Sequence, residues 1–332
     1  MTVKALLQYF FKSWAVLSVV ALTGVIFLSL LWKGKETVIQ MRDVNAQTFA
    51  DKLHRHVLAI SEGIGERHYE QPESLEKTAQ YIEQAFDNCG LELSFQSYGR
   101  LPFRNVVAEI TGTTTPNDII IVGAHYDTVW LSPGADDNAS GVAALLELAC
   151  LLAKDRHDRT LRFVAFANEE QPFADTEDMG SQVYVQSLRA QEENVMAMYS
   201  LEMLGYYSDK PNSQNYPAPL RWFYPDTASF VAFVSNVRSS LLLLKSIRRF
   251  RHHSNIHAEG LIMPERLMPD IRRSDHASFW DAGYPALMVT DTSFYRNSNY
   301  HTVGDVARTL DYTKMAAVVA GLRGMLAEGA RH

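Results

Sequence analysis

The 332-residue sequence has few cysteines and no excess of positive charge, and each absence removes a class of function. Cys89 and Cys150 are too few for a disulfide framework, and they lack the spacing of a cysteine-based metal site. Their number favours two buried thiols, with a single disulfide as the alternative. The net charge of −7 gives no indication of a nucleic-acid partner. A hydrophobic fraction of 47% instead predicts a globular chain with one large or two ordinary domains.

Positive charge is concentrated in one short cluster, “KSIRRFRHH”, at residues 245–253. We interpret it as a solvated loop or helix face. The alternative is a contact with substrate or with a membrane surface. His252, His253 and His257 have no ligand-like neighbours in the sequence, so we predict that they are loop residues.

A single long apolar run, “SWAVLSVVALTGVIFLSLLW”, occupies residues 13–32 and contains no charge. Twenty such residues match the hydrocarbon thickness of a bilayer. The following “LLWKGKE” lacks the small-x-small site of a cleaved signal peptide. We therefore predict an uncleaved single-span membrane anchor, with a cleaved signal or a buried helix as alternatives.

The anchor divides the chain into a tail at residues 1–12, the span at 13–32, a polar linker at 33–48 and a catalytic domain at 49–330. Lysines and arginines near the span slightly favour a cytoplasmic domain, but large domains cross membranes despite so weak a bias. A basic N-terminus before an apolar segment is also typical of an export anchor. We predict a domain on the non-cytoplasmic side, periplasmic or extracellular.

Beyond the linker, helical and extended patterns alternate. Segments such as “DIIIVGAHYD” and “TLRFVAFANEE” are rich in β-branched and apolar residues, which favours strands. “NASGVAALLELACLLAKD” and “DYTKMAAVVAGLRGMLAE” have helical periodicity. The alternation predicts an α/β fold, a three-layer sandwich with a mixed, largely parallel central sheet. The segment at residues 208–224 is rich in Pro, Tyr, Asn and Ser and is predicted to be a long loop.

Acidic and histidine side chains follow several of these predicted strands. Ligands of open α/β sheets bind beyond the carboxyl ends of the strands. Many uncompensated carboxylates at one place would repel one another and resist ionisation, which a pair of dications would relieve. Mixed histidine and carboxylate ligands suit zinc. The residues concerned are His125, Asp127, Asp136, Asp137, Glu169, Glu170, Glu202 and His301.

The sequence resembles the co-catalytic zinc exopeptidases related to bacterial leucyl aminopeptidase, aminopeptidase S and glutaminyl cyclase. The resemblance covers roughly residues 50–330. It rests on six motifs that stand in the order of that family: “HYDT”, “GADDNASG”, “NEE”, “LEMLGY”, “SDHASFW” and “NYHTVGD”. It implies two zinc ions per chain and a peptide substrate with a free N-terminus.

The resemblance also assigns roles to single residues. His125 matches a ligand of one zinc, and Asp136 matches the carboxylate that bridges both, with a cis peptide bond between Asp136 and Asp137. Glu170 and His301 match ligands of the other zinc. The remaining ligand, often aspartate in the family, is here Glu202.

Two further carboxylates match catalytic positions of the family. Glu169 matches the general base, and Asp127 matches the carboxylate that orients the His125 ring. Asp275 and His276 could line the site or serve a structural hydrogen-bonding role. Asp305 could assist His301 or be structural.

The mechanism implied is attack on the first peptide carbonyl by a hydroxide that bridges two metals, with Glu169 moving the proton to the leaving amine. Aromatic residues in segments 206–224 and 294–300 are candidates for a pocket that prefers an apolar or aromatic first residue. The alternatives are a mono-zinc glutaminyl-cyclase-like transferase, a related metallo-carboxypeptidase and a non-enzymatic ectodomain. No arginine can be assigned from the sequence to a substrate's terminal carboxylate.

Overall fold

A computed structural model describes residues 46–99 and 103–331. The predicted anchor at 13–32 and most of the predicted linker lie outside these residues. The first helix in this part of the chain, Ala46–Leu58, begins three residues before the predicted start of the domain. Among the helices of the described residues, none combines the length and the apolar character needed to cross a bilayer.

The described residues form one eight-stranded sheet. Its strands are β1 (Glu92–Tyr98), β2 (Phe103–Ile110), β3 (Thr115–His125), β4 (Arg159–Phe166), β5 (Asn194–Glu202), β6 (Phe230–Ser235), β7 (His257–Ile262) and β8 (Ala286–Thr290). They lie in the order β1-β2-β4-β3-β5-β8-β6-β7. The centre of the sheet, β4-β3-β5-β8, is parallel, whereas β1–β2, β2–β4 and β6–β8 are antiparallel pairs. This confirms the prediction of a mixed, largely parallel sheet.

Helices cover both faces of the sheet. The α-helices of the described residues are α1 (Ala46–Leu58), α2 (Pro72–Asp87), α3 (Gly141–Leu152), α4 (Gly180–Ala190), α5 (Ser240–His253), α6 (His276–Asp281) and α7 (Tyr312–Gly329). The connections from β3 to β4 and from β4 to β5 run across the sheet in opposite directions, so right-handed crossovers place α3 and α4 on opposite faces. Helix α3 contacts α1 and α7, and α7 contacts α5, whereas α4 contacts α6.

Local sequence explains where several elements begin and end. Pro72 occupies the first turn of α2, where its missing N–H is not needed. The Asp311 side chain accepts a hydrogen bond from the backbone N–H of Lys314 and caps α7. β3 is buried on both faces from Ile119 onward, as expected for a strand covered by two helical layers.

One βαβ unit was not predicted from the sequence. The basic cluster at residues 245–253 forms the C-terminal part of α5, between β6 and β7. The outcome therefore favours the predicted helix face over a loop, and the prediction that His252, His253 and His257 are loop residues is wrong. Residues 208–224 are irregular apart from a short 3₁₀ turn, Leu220–Trp222, as predicted.

The preference for two free thiols is also wrong. Cys89, just after α2, is disulfide-bonded to Cys150 in α3, with a Cα–Cα distance of 5.2 Å. The bond joins two helices that pack on each other. The cysteines are separated by 61 positions in the sequence, which gave no indication of this proximity.

Candidate metal centre

The carboxyl ends of three adjacent parallel strands bring the predicted ligands together. His125 is the last residue of β3, Glu169 and Glu170 follow β4, and Glu202 is the last residue of β5. His301 comes from the loop after β8, where its backbone has a positive φ of 57°. Parallel strands end at one edge of the sheet, so residues distant in sequence converge there.

Asp137 lies at the centre of the cluster. Its Oδ1 is 3.3 Å from Nε2 of His125, and its Oδ2 is 3.1 Å from Nε2 of His301. Glu202 Oε2 is 3.4 Å from the same nitrogen of His125, and Glu170 Oε1 is 3.2 Å from that of His301. One carboxylate therefore faces two imidazoles, each accompanied by its own glutamate.

This arrangement corrects the assignment of Asp136. Both oxygens of Asp136 point away from the cluster. Oδ1 accepts a hydrogen bond from the backbone N–H of Gly205 at 2.9 Å, and Oδ2 accepts one from the Asn297 side chain at 2.8 Å. Asp137 is therefore the aspartate of the pair that faces both imidazoles. The predicted cis bond is likewise displaced by one residue, because it joins Asp137 to Asn138.

Asp127 fastens the end of β3 to the segment that follows β4. Its two oxygens accept hydrogen bonds from the consecutive backbone N–H groups of Glu169 and Glu170, each at 3.0 Å. Oδ1 also lies 3.4 Å from Nδ1 of His125, beyond ordinary hydrogen-bond distance. The carboxylate therefore positions the backbone of the two glutamates and lies beside the ring that it was predicted to orient.

Asp305 also holds two consecutive backbone N–H groups, on the other side of the cluster. It is fully buried, and its two oxygens accept hydrogen bonds from the N–H groups of Asp136 and Asp137 at 2.8 and 3.0 Å. Of the two predicted roles, the structural one is observed. The contact fixes the segment that carries Asp137.

A third set of contacts holds Glu202. The Ser274 hydroxyl donates a 2.7 Å hydrogen bond to Oε2 of Glu202. The Asn138 side chain donates to the carbonyl of Leu201 and accepts from the N–H of Met203, one residue to each side of Glu202. These contacts hold the Glu202 carboxylate beside the His125 ring.

Asp275 and His276 stay outside the cluster. The His276 ring makes a 2.7 Å contact with the Ile271 carbonyl and stands edge-on to Trp280, with 4.4 Å between the ring centroids. Burial lowers the pKa of His276 to about 4. The Asp275 carboxyl is fully buried, and burial raises its pKa to about 7. His276 thus has the structural role.

The protonation equilibria of the cluster reflect its crowding. Burial raises the pKa of Glu169 well above its ordinary range and that of Glu170 to about 7. Burial alone would lower the pKa of each histidine, but the carboxylates outweigh it. Glu202 and Glu169 hold the pKa of His125 well above its usual range, and Asp137 and Glu170 raise that of His301 to about 10. Carboxylates that resist ionisation in this way gain from a bound cation.

The donor set fits a dication. His125, Asp137 and Glu202 form one group whose ligand atoms lie within 4.8 Å of one another, and Asp137, Glu170 and His301 form a second. Both ring nitrogens of His125 and Oδ1 of Asp137 are buried and have no hydrogen-bond partner among the described residues. Buried polar atoms without partners are rare in folded proteins unless a ligand satisfies them. Two imidazoles with carboxylates are typical zinc ligands.

An apolar cavity of about 120 Å³ opens beside the metal ligands. Its floor is formed by β6 and β8, which contribute Ala232, Val234, Met288 and Thr290. Its aromatic and aliphatic walls come from the two segments predicted to line a pocket: Tyr216, Leu220, Tyr224, Phe294, Tyr295 and Tyr300. The Tyr300 ring stacks on His301 with 3.7 Å between the ring centroids, which joins the cavity wall to the ligand cluster.

Residues 105–325 match peptidase family M28, and the chain belongs to that family. It is 37% identical over 287 residues to the Escherichia coli (strain K12) protein named “Uncharacterized protein YfbL”, covering 83% of this chain and 87% of that protein. It is 28% identical to a “Probable zinc metalloprotease” of Pyrenophora teres f. teres (strain 0-1), covering 70% of this chain. The chain spans only 55% of that fungal protein.

Solved structures share the fold. A zinc aminopeptidase of Bacillus subtilis, BSAP, superimposes with a TM-score of 0.65 at 16% identity, covering 85% of this chain and 95% of that one. A Bacteroides thetaiotaomicron glutaminyl cyclase bound to N-acetylhistamine gives a TM-score of 0.63 at 17% identity, covering 87% and 98%. The resemblance seen in the sequence motifs is therefore confirmed as family membership, and the fold as that of these enzymes.

Proposed function

We propose that the chain is a zinc-dependent aminopeptidase that holds two zinc ions. The observation that carries the proposal is the position of Asp137 between two imidazole–glutamate pairs. His125, Asp137 and Glu202 would hold one ion, and Asp137, Glu170 and His301 the other. Zinc bound there supplies an activated water and polarises the scissile carbonyl.

Glu169 is the proton carrier in this proposal. It follows Asn168, whose φ of 58° turns the chain at the end of β4, and its N–H is held by Asp127. Its Oε2 lies 3.9 Å from the His125 ring, at the edge of the ligand cluster. It accepts the proton of the attacking water and transfers it to the leaving amine.

The surroundings of the cluster favour a substrate with a free N-terminus and an apolar first residue. An ammonium group is attracted to a centre with this many carboxylates, and an acylated N-terminus lacks that charge. The adjoining cavity is lined mostly by aliphatic and aromatic side chains, although Glu259, Asp270 and Arg273 also contribute to its lining. It would accept a leucyl or phenylalanyl side chain, burying apolar surface.

The location of the domain is also a proposal. The uncharged run at residues 13–32 supports a single membrane span, and we place the catalytic domain on its non-cytoplasmic side. The Cys89–Cys150 disulfide supports this placement, because disulfides persist in oxidising compartments.

The decisive experiment measures zinc per chain and substrate choice in the same preparation. We expect two zinc ions per chain by elemental analysis after gentle dialysis. We also expect hydrolysis of leucine amide and none of N-acetyl-leucine amide. A chelator should abolish the activity, and zinc should restore it.

The alternatives give different results. One zinc ion with cyclisation of glutaminyl peptides would support the cyclase-like transferase. Release of C-terminal residues from N-acetylated peptides would support a carboxypeptidase. A protein that binds no zinc after zinc is added back would overturn the proposal as a whole.

A further inference from the structure

Helix α5 and the turn before it carry a stripe of exposed side chains. Arg238, Leu241, Lys245, Arg248 and His252 are all exposed. The spacing of Leu241, Lys245, Arg248 and His252 by four, three and four residues places these four on one helical face, and Arg238 lies in the turn just before the helix. At 1.5 Å per residue the helical part of the stripe is about 17 Å long.

The stripe is basic in an otherwise acidic protein. No aspartate or glutamate occurs between residues 237 and 253, although the whole chain has a net charge of −7. The other side of the helix is used internally: Arg249 and His253 contact Glu328 of α7 at 3.2 and 3.3 Å. Arg238, Lys245 and Arg248 make no ion pair within the described residues.

The cations are accompanied by exposed apolar surface. Leu241, in the centre of the N-terminal half of the stripe, is 70% exposed, and Val237 beside it is 51% exposed. Basic side chains around projecting aliphatic groups are typical of helices that lie in the interface of an anionic bilayer.

The position of the stripe in the fold agrees with this partner. The predicted anchor at residues 13–32 is followed by a short linker that leads into α1. Helix α1 packs on α7, and α7 packs on α5. Helix α1, which follows the predicted linker in the sequence, therefore belongs to the same helical layer as α5.

We propose that the outer face of α5 lies on an anionic membrane surface. Arg238, Lys245 and Arg248 contact lipid phosphates, and Leu241 inserts at headgroup level. This inference goes beyond the proposed peptidase activity and does not depend on it.

The test uses the full chain assembled into nanodiscs of phosphatidylcholine, with or without 30% phosphatidylglycerol. Because the two native cysteines are bonded to each other, Val237→Cys supplies a free thiol for an environment-sensitive NBD label. Gln186→Cys, on the exposed side of α4 in the opposite layer, is the matched label position. A second portion of the labelled protein is not assembled into discs. It is titrated with vesicles of the same two lipid compositions, and the NBD fluorescence is measured in the same way.

We expect a blue shift and quenching by nitroxide lipids at position 237 only when phosphatidylglycerol is present, with reversal by about 0.5 M NaCl. Position 186 should not respond. Charge reversal in Arg238→Glu/Lys245→Glu/Arg248→Glu should weaken docking at least about 100-fold, about fivefold for each charge. Reversal of three exposed arginines elsewhere, Arg189, Arg266 and Arg308, should have little effect.

Thermal unfolding of the triple variants confirms that they are folded. A label at position 237 that does not respond to phosphatidylglycerol would overturn the proposal. An equal response in phosphatidylcholine alone would also overturn it, because recognition would then not depend on charge. An unchanged response in the α5 triple variant would overturn the proposal as well, because the three cations would then not be needed for docking.

Discussion

Asp136 and Asp137 are adjacent in the sequence but belong to different networks. Asp137 faces the imidazoles of His125 and His301, whereas Asp136 accepts hydrogen bonds from Gly205 and Asn297 on the other side of the loop. The Asp305 carboxylate accepts hydrogen bonds from the backbone N–H groups of Asp136 and Asp137. These bonds hold the two aspartates in their opposite orientations. One aspartate of the pair is a candidate ligand, and the other fixes the loop.

This division predicts different effects for two identical substitutions. Asp137→Asn should lower the zinc content and reduce kcat/KM at least about 100-fold, since even residues that only support a ligand cost 10–100-fold. Asp136→Asn should retain zinc but lower the free energy of unfolding by about 1–3 kcal/mol, through lost buried hydrogen bonds. Zinc analysis and thermal unfolding of both variants separate the two effects. Loss of zinc in Asp136→Asn alone would restore the assignment made from the sequence.

Glu169→Gln tests the proton carrier. The amide keeps the size of the side chain but cannot accept the proton. We expect normal zinc content and stability, with kcat reduced about 10²–10⁴-fold. Glu177→Gln, at an exposed position of the same loop, is the matched control and should be fully active. Near-normal turnover by a zinc-replete Glu169→Gln variant would refute the role of Glu169.

Asp305→Asn tests how far backbone positioning governs the metal centre. One of its two acceptor oxygens becomes an NH₂ group that faces a backbone N–H. We expect zinc affinity to fall about 10–100-fold, measured by competition with a chelator. Excess zinc should recover most of the activity, which it would not do if Asp305 took part in proton transfer.

Acid should destabilise the fold partly through His276. Its folded-state pKa of about 4 lies below its ordinary value of 6.5, so between these values the unfolded chain binds the extra proton. The neutral ring therefore contributes stability above pH 6.5 that is lost as the pH falls to 4, by about 3 kcal/mol. In His276→Gln this part of the pH dependence should be missing. Parallel stability curves for the two proteins from pH 7 to 4 would contradict the assignment.

The depth of the cavity predicts substrate size. Glu202 pairs with Thr290 across the sheet, and Thr290 pairs with Ala232, which places Ala232 two strand spacings, about 10 Å, from the metal ligand. Ala232→Leu should lower kcat/KM for phenylalanine amide about 10–100-fold, because it fills the cavity floor. Alanine amide, whose side chain is short, should be hydrolysed as before. An equal loss for both substrates would place the first residue elsewhere.

The fold class and most of the candidate site could be predicted from the amino-acid sequence alone. Alternating β-branched and helical segments predicted the layered α/β fold, because periodicity follows the burial of each face. His125, Glu169, Glu170, Glu202 and His301 stood out because polar groups after buried strands have few structural explanations.

The folded chain was needed to choose which aspartate of the “GADD” pair enters the cluster. Both residues have the same chemistry, and the choice depends on backbone geometry fixed by Asp305, 168 residues away from Asp137. For the same reason the Cys89–Cys150 bond was not predicted, and the basic cluster of α5 was left open between a loop and a helix face. Each depends on which elements pack together, and local patterns in the sequence do not record contacts between distant segments.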